Sequence, residues 1–193
     1  IVNTPTSSIS GTAEPGATVR VRVDGGTAII VVANATTGAW TAILDQTLND
    51  GPHSVLATAA LGGLTSSTSS TFRQDTLAPT VTITSPANGS VITAVTPTIT
   101  GTAEIGSTVR VSIDGGSPVT VTVSPTGTWS YPVPGALSAA SHTVAATATD
   151  AAGNTSTATS TFIVNINECQ LGLDNCSDNA TCTDTTLAFD CTC

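Results

Sequence analysis

The chain is 193 residues long, 39% hydrophobic and only 9% charged, with 13 acidic residues against 4 basic ones and a formal net charge of −9. Its basic residues, Arg20, Arg22, Arg73 and Arg110, are too few and too scattered to neutralise a run of phosphates, which excludes nucleic acid and an anionic bilayer as partners. The longest apolar run, residues 27–33, is strand-sized and far short of the roughly eighteen residues a membrane span needs, so no membrane insertion is expected within this fragment.

The first elements alternate. Val19, Val21 and Val23 interleave with Thr18, Arg20 and Arg22, the period of a half-buried strand. Asp24-Gly25-Gly26 follows, a sequence suited to the positive φ of a hairpin turn. Further along come Thr37-Gly38-Ala39-Trp40, His53, Leu61-Gly62-Gly63 and Thr71-Phe72. Then the pattern starts again: Gly11-Thr12-Ala13-Glu14-Pro15-Gly16-Ala17-Thr18-Val19-Arg20-Val21 returns as Gly101-Thr102-Ala103-Glu104-Ile105-Gly106-Ser107-Thr108-Val109-Arg110-Val111, an offset of about ninety residues. That period is a domain, not a solenoid turn. Asp114-Gly115-Gly116, Thr126-Gly127-Thr128-Trp129, His142 and Thr161-Phe162 keep the register, and Val119, Val121 and Val123 alternate with Thr120 and Thr122. Short β-rich segments broken by Gly, Pro and Asn indicate antiparallel sandwiches, and no segment carries a helical stripe.

As a set these motifs resemble the bacterial Ig-like repeats of large surface adhesins. The second copy fits from Asp75-Thr76-Leu77-Ala78-Pro79 to Val164. The first departs twice: it lacks the Val81-Thr82-Ile83 opening strand, and it has Leu61-Gly62-Gly63 where its partner has Asp150-Ala151-Ala152-Gly153-Asn154. The missing strand and the absence of methionine are what an excerpt from a longer protein would show. No cysteine precedes residue 169, so each sandwich must hold by core packing, with Trp40 and Trp129 as anchors.

All five cysteines, Cys169, Cys176, Cys182, Cys191 and Cys193, fall in the last stretch of the chain, a separate module. Zinc would need closer pairs or a nearby His; a segment without a core instead needs disulfides. The spacing C-x6-C-x5-C-x8-C-x-C resembles an EGF-like domain, and Asn165-Ile166-Asn167-Glu168-Cys169 with Cys182-Thr183-Asp184 and Phe189-Asp190-Cys191 is similar to its calcium-binding subclass. The resemblance implies the pairs Cys169–Cys182 and Cys176–Cys191, and leaves Cys193 unpaired for want of a sixth cysteine. It also implies a Ca2+ shell from Asn165, Glu168 and Asp184 side chains with the carbonyls of Ile166, Thr185 and Ala188. Carboxylates and an amide oxygen are what a hard cation takes. Leu187 stands where the family has the glycine of the tight turn, a departure that bears on the Thr185 and Ala188 carbonyls. The adhesin resemblance nominates Asp75 and Asp150 for a further calcium.

The expected fold is all-β: two antiparallel Ig-like β-sandwiches in tandem, over 1–74 and 75–164, and a small disulfide-rich EGF-like module over 165–193. His53, His142, Glu14, Glu104, Asp24 and Asp114 recur at equivalent positions as scaffold residues do, and no nucleophile is paired with a base, so no catalytic activity is expected. The expected role is a calcium-stiffened extracellular or cell-surface stalk, structural or adhesive, whose partner would be an extracellular protein or glycan. The alternative is a non-catalytic carbohydrate-binding accessory module of a secreted hydrolase.

Overall fold

The structure, a computed structural model, describes residues 1–171, 175–177 and 179–192. Its chain divides into two compact units, Ile1–Leu77 with Ala152–Asn154, and Ala78–Ala151 with Thr155–Cys193.

The first unit contains β1 (Ser8–Thr12), β2 (Thr18–Val23), β3 (Ile29–Val32), β4 (Ala39–Ile43), β5 (Gly51–Leu61) and β6 (Leu64–Gln74). β1 pairs with β4 as one layer, and the facing layer runs β3-β2-β5-β6. Alternation in the sequence becomes alternation in burial: Val19 and Val21 turn inward while Thr18, Arg20 and Arg22 face solvent. Trp40 and Ala42 from β4 meet Val55 and Ala57 from β5 in the same core. Asp24 and Gly25 both have positive φ, 51° and 71°, and the Gly26 N–H donates to the Val23 carbonyl at 2.9 Å, the geometry of a type I′ hairpin turn. Gly62 and Gly63 make a second such turn, with φ of 58° and 83°, so that Leu61 sits directly opposite Leu64.

The second unit adds strands to the same plan. Counterparts of β1 to β6 are β9 (Thr98–Ala103), β10 (Thr108–Ile113), β11 (Val119–Val121), β12 (Thr128–Pro132), β13 (Ser141–Thr149) and β14 (Thr155–Val164), preceded by β7 (Val81–Ser85) and β8 (Val91–Ile92). One layer is β12-β9-β7 and the other β11-β10-β13-β14-β8. Ile99, Val109, Trp129, Val144 and Phe162 fill the space between, and Val81 and Ile83 of β7 pack against them. In both units a glycine lies under the tryptophan: a Cβ on Gly11 would come within 2.6 Å of the Trp40 ring, and one on Gly101 would strike both Trp129 and the Thr82 carbonyl.

The two plans differ at the opening strands. β9 pairs with both β12 and β7, whereas among the described residues of the first unit β1 pairs with β4 alone. β8, which runs parallel to β14 through Val91–Ile163 and Ile92–Val164, is represented there by one parallel bridge between Val2 and Gln74.

From Val164 the second unit continues into α1 (Glu168–Leu171) and a hairpin of β15 (Thr181–Thr185) and β16 (Ala188–Thr192). Cys169 is bonded to Cys182 and Cys176 to Cys191, each pair with Cα atoms 5.6 Å apart. Cys193 lies outside the described residues.

Candidate metal centre

The six nominated ligands fall where β14 gives way to the cysteine-rich segment. The Asn165 N–H donates to the Ile92 carbonyl of β8 at 2.8 Å, and the Ile166 side chain packs against the core of the second sandwich. The Asn165 amide then reaches into the hairpin: Nδ2 donates to Asp184 Oδ2 at 3.3 Å, and Oδ1 accepts from the Leu187 N–H at 2.7 Å. One side chain thus ties the last strand of the sandwich to both sides of the hairpin turn.

Glu168 opens α1, and the neighbouring Cys169 is tied to Cys182, two residues before Asp184. Glu168 Oε2 and Asp184 Oδ1 are both buried without a hydrogen-bond partner. Carboxylate oxygens removed from water and given no donor are costly, by several kcal/mol per ion when uncompensated. No Lys or Arg occurs after Arg110 in the sequence, so this segment supplies no cation of its own. Two orphaned carboxylate oxygens and an amide oxygen with a second lone pair free of the Leu187 bond form a donor set suited to a hard divalent cation.

Thr185 faces Ala188 across the two-residue turn. Leu187 takes φ of 66° there, so leucine occupies the left-handed conformation that glycine would fill without strain, at a cost of about 1–2 kcal/mol. The tight turn therefore forms despite the departure from glycine. The Asp75 carboxylate lies 4.0 Å from Arg73 Nε, and Asp150 follows β13. Among the described residues no three His, Cys, Asp or Glu side chains converge as a metal site.

A second polar constellation, which the sequence reading treated as separate turn and strand residues, occurs once in each sandwich. His53 Nδ1 is 2.7 Å from Asp24 Oδ2 and His53 Nε2 is 2.7 Å from the Asn49 carbonyl oxygen. His142 repeats this with Asp114 Oδ2 at 2.7 Å and the Ser138 carbonyl at 3.0 Å. An acceptor at both ring nitrogens favours the protonated imidazole, which alone can donate twice. The hydrogen bond to Asp24 raises the His53 pKa above its usual value, helped by the Asn49 carbonyl, and the same bond with the Ser54 N–H lowers that of Asp24. For His142 burial opposes the charge, but the Asp114 bond and the Ser138 carbonyl outweigh it and the pKa is raised. Burial likewise opposes ionisation of Asp114, and His142 with the Thr143 N–H overcomes it, leaving that pKa lowered. Each His also packs on a phenylalanine, His53 on Phe72 at 5.3 Å and His142 on Phe162 at 5.8 Å. These pairs pin the β2–β3 and β10–β11 turns to the neighbouring sheet strands β5 and β13; the signal for them was the joint recurrence of Asp and His.

Trp40 and Trp129 are buried in their cores, and every other aromatic side chain is at least half-buried. No helix among the described residues is long and apolar enough to cross a membrane.

Paired antiparallel sandwiches with an immunoglobulin-type strand plan, and a small disulfide-bonded segment after the second, define a modular all-β protein. A family model described as Bacterial Ig-like domain matches residues 1–76 and 78–166, and the chain belongs to that family. Among solved structures, the chain is similar to a tetra-tandem repeat in the extending region of a large adhesion protein, with 24% identity over 95% of this chain and 48% of that one and a TM-score of 0.41. It is also similar to a 1.5-MDa bacterial ice-binding adhesin (23% identity, 83% of this chain and 59% of that one, TM-score 0.42). The chain thus spans about half the length of the solved chains it matches. No curated protein matched the chain.

Proposed function

We propose that the chain is a calcium-binding segment of an extracellular or cell-surface stalk, with Ig-like repeats over 1–74 and 75–164 and an EGF-like module over 165–193. Calcium stiffens the joint between the second repeat and that module. The observation that carries this reading is the pair of buried, partnerless oxygens Glu168 Oε2 and Asp184 Oδ1 in a segment that has no cation of its own. Calcium would supply the missing positive charge, held by Asn165, Glu168 and Asp184 with the carbonyls of Ile166, Thr185 and Ala188 completing the shell.

The stiffening follows from where the donors sit. Asn165 hydrogen-bonds Ile92 of the sandwich on one side and Asp184 and Leu187 of the hairpin on the other, so fixing its amide fixes the angle between them. Two disulfides in a segment too small for a core suit an oxidising, extracellular compartment. One solved neighbour is described as the extending region of a large adhesion protein and another as a 1.5-MDa bacterial ice-binding adhesin; the role proposed for this chain is a stalk that presents an adhesive region to an extracellular protein or glycan. A carbohydrate-binding module would need an exposed aromatic platform, and this chain keeps its aromatic rings buried or half-buried.

Calcium titration of the full chain, followed by calorimetry, tests the site. A single site with Kd on the order of 10⁻⁴ to 10⁻³ M is expected, lost in Asp184→Ala; unchanged affinity in that variant removes Asp184 from the shell. Limited proteolysis near residue 165 tests the stiffening: cleavage should slow in calcium, and equal rates with calcium and with chelator would sink the clamp while leaving binding intact.

A further inference from the structure

Among the described residues β3 pairs with β2 alone and is the outermost strand of its sheet. Its counterpart β11 is outermost too, and the strands that precede that plan, β7 and β8, border β9 and β14 instead. The β3 edge therefore does not depend on what precedes residue 1. The Ala33 N–H donates to the Ala17 carbonyl at 2.9 Å, so by antiparallel alternation Ile29 and Val31 also turn their main-chain groups toward β2, while Ile30 and Val32 turn theirs to the open edge. The side chains of these same two residues lie on the solvent face, 60% and 67% exposed. Sheet edges are ordinarily blunted by charge, by proline or by polar side chains. The second sandwich does this: Thr120 stands where β3 has Ile30, and Pro118, with no N–H to offer, stands where the first has Ala28. β3 has neither device, and no charged residue or proline occurs between Gly25 and Leu44.

We propose that this edge is a contact between two copies of the chain, β3 joining β3 antiparallel about a two-fold axis to make one continuous sheet. The register centred on Val31 sets Ile30 opposite Val32 of the second copy and Val32 opposite its Ile30. Every outward main-chain group of those residues is then paired, and the four apolar side chains meet on the shared solvent face. A register shifted by one residue would set outward groups against groups already turned to β2 and form no ladder. The strand's own chemistry selects the occupant. It offers a charged partner nothing to read, only main chain and β-branched side chains, and the surface making the same offer at matched spacing is β3 of another copy. Arg20 and Arg22 on β2 do not oppose the pairing: three strand spacings, about 14 Å, separate them from their equivalents, beyond the Debye length in physiological salt. So short an edge buries far less than the roughly 1,200 Å² of a stable complex. The dimer is weak and reversible, with Kd on the order of 10⁻⁴ M, a strength that suits copies already held close together.

The test is sedimentation equilibrium of the full chain, alkylated so that no thiol can pair, from about 10⁻⁵ to 10⁻³ M, with amide exchange followed by NMR at both ends of that range. A monomer–dimer equilibrium is expected. At the upper concentration the amides of Ile30 and Val32 should gain protection, while those of Ile29 and Val31, already bonded to β2, should stay as in the monomer. Ile30→Thr combined with Val32→Thr, which copies the polar pattern of β11 at two exposed positions, should weaken association at least tenfold. Val32→Lys should abolish it. Should either variant lose its fold, the alternating protection in the unaltered chain still decides. A chain that stays monomeric over the whole range, dimers that persist in folded Val32→Lys, or concentration-dependent protection at β11 or β4 in place of alternate β3 amides would overturn the proposal.

Discussion

The two sandwiches share motifs, turns and a tryptophan-on-glycine contact, yet along β5 and β6 the core positions of the first are less buried than their matches in β13 and β14 of the second. Val55 and Ala57 are 8% and 7% exposed where Val144 and Ala146 are fully buried, and Phe72 is half-buried where Phe162 has no exposure. The difference spreads along β6, whose residues 64–71 all face solvent, while β14 alternates between exposed and covered positions. Composition accounts for part of this: Thr68, Arg73 and Gln74 of β6 stand where β14 has Ala158, Ile163 and Val164. In the second sandwich, Val81 and Ile83 of β7 also pack on the core beneath them.

The comparison is sharpest in the deepest side chains. Phe162→Ala should cost the second sandwich about 4 kcal/mol, as for a fully buried aromatic, whereas Phe72→Ala should cost the first about 2 kcal/mol because its ring already contacts water. Denaturant unfolding, with tryptophan fluorescence assigned to Trp40 or Trp129 through single Trp→Phe variants, reads each repeat separately. Equal costs would mean that the two rings are equally buried in solution. Next come the glycines. Gly101→Ala forces a Cβ into both Trp129 and the Thr82 carbonyl, while Gly11→Ala meets only the Trp40 ring. Backbone cannot move aside as a ring can, so about 3 kcal/mol is expected at Gly101 and about 1 kcal/mol at Gly11. A smaller contrast lies in the hydroxyls. Ser160→Ala removes the buried bond to the Pro86 carbonyl and should cost about 1 kcal/mol; Ser70→Ala, at an exposed position, should be near neutral.

The repeat, the strand alternation, the Asp-Gly turns and the isolation of the cysteines were legible in sequence because each is a local pattern or a long identical string. The parallel bridge from Val2 to Gln74 was not, since two paired residues carry no period. Nor were the His–Asp pairs, because their partners lie 28 or 29 residues apart and each looked adequate alone as a turn or strand residue. At the candidate metal centre the residue types pointed to oxygen ligation, but burial of Glu168 Oε2 and Asp184 Oδ1 is a property of packing. The positive φ of Leu187 was hidden for a related reason: the Asn165–Leu187 bond and the hairpin register impose a conformation that leucine does not prefer.

The His–Asp pairs are where the two repeats should behave alike, and they give the smallest expected effect, that of a pair with one partner well exposed to solvent. Side-chain exposure is 10% for His53 and 7% for His142, with Asp24 and Asp114 at 46% and 48%, so cover by β7 does not reach them. Each histidine has a folded pKa raised above the ordinary 6.5; its contribution is complete below 6.5 and is lost as pH rises through the folded value. Each aspartate is lowered below 3.8, so its contribution is complete above 3.8 and is lost as pH falls through the folded value. Both unfolding transitions should therefore be most stable between those limits and should decline together as pH climbs above 6.5. His53→Gln should flatten that decline in the first repeat only, and His142→Gln in the second only. Imidazole resonances followed by NMR provide the direct reading: both rings should titrate above 6.5. A difference between them larger than their similar exposures warrant would show that the two turns differ in more than solvent access.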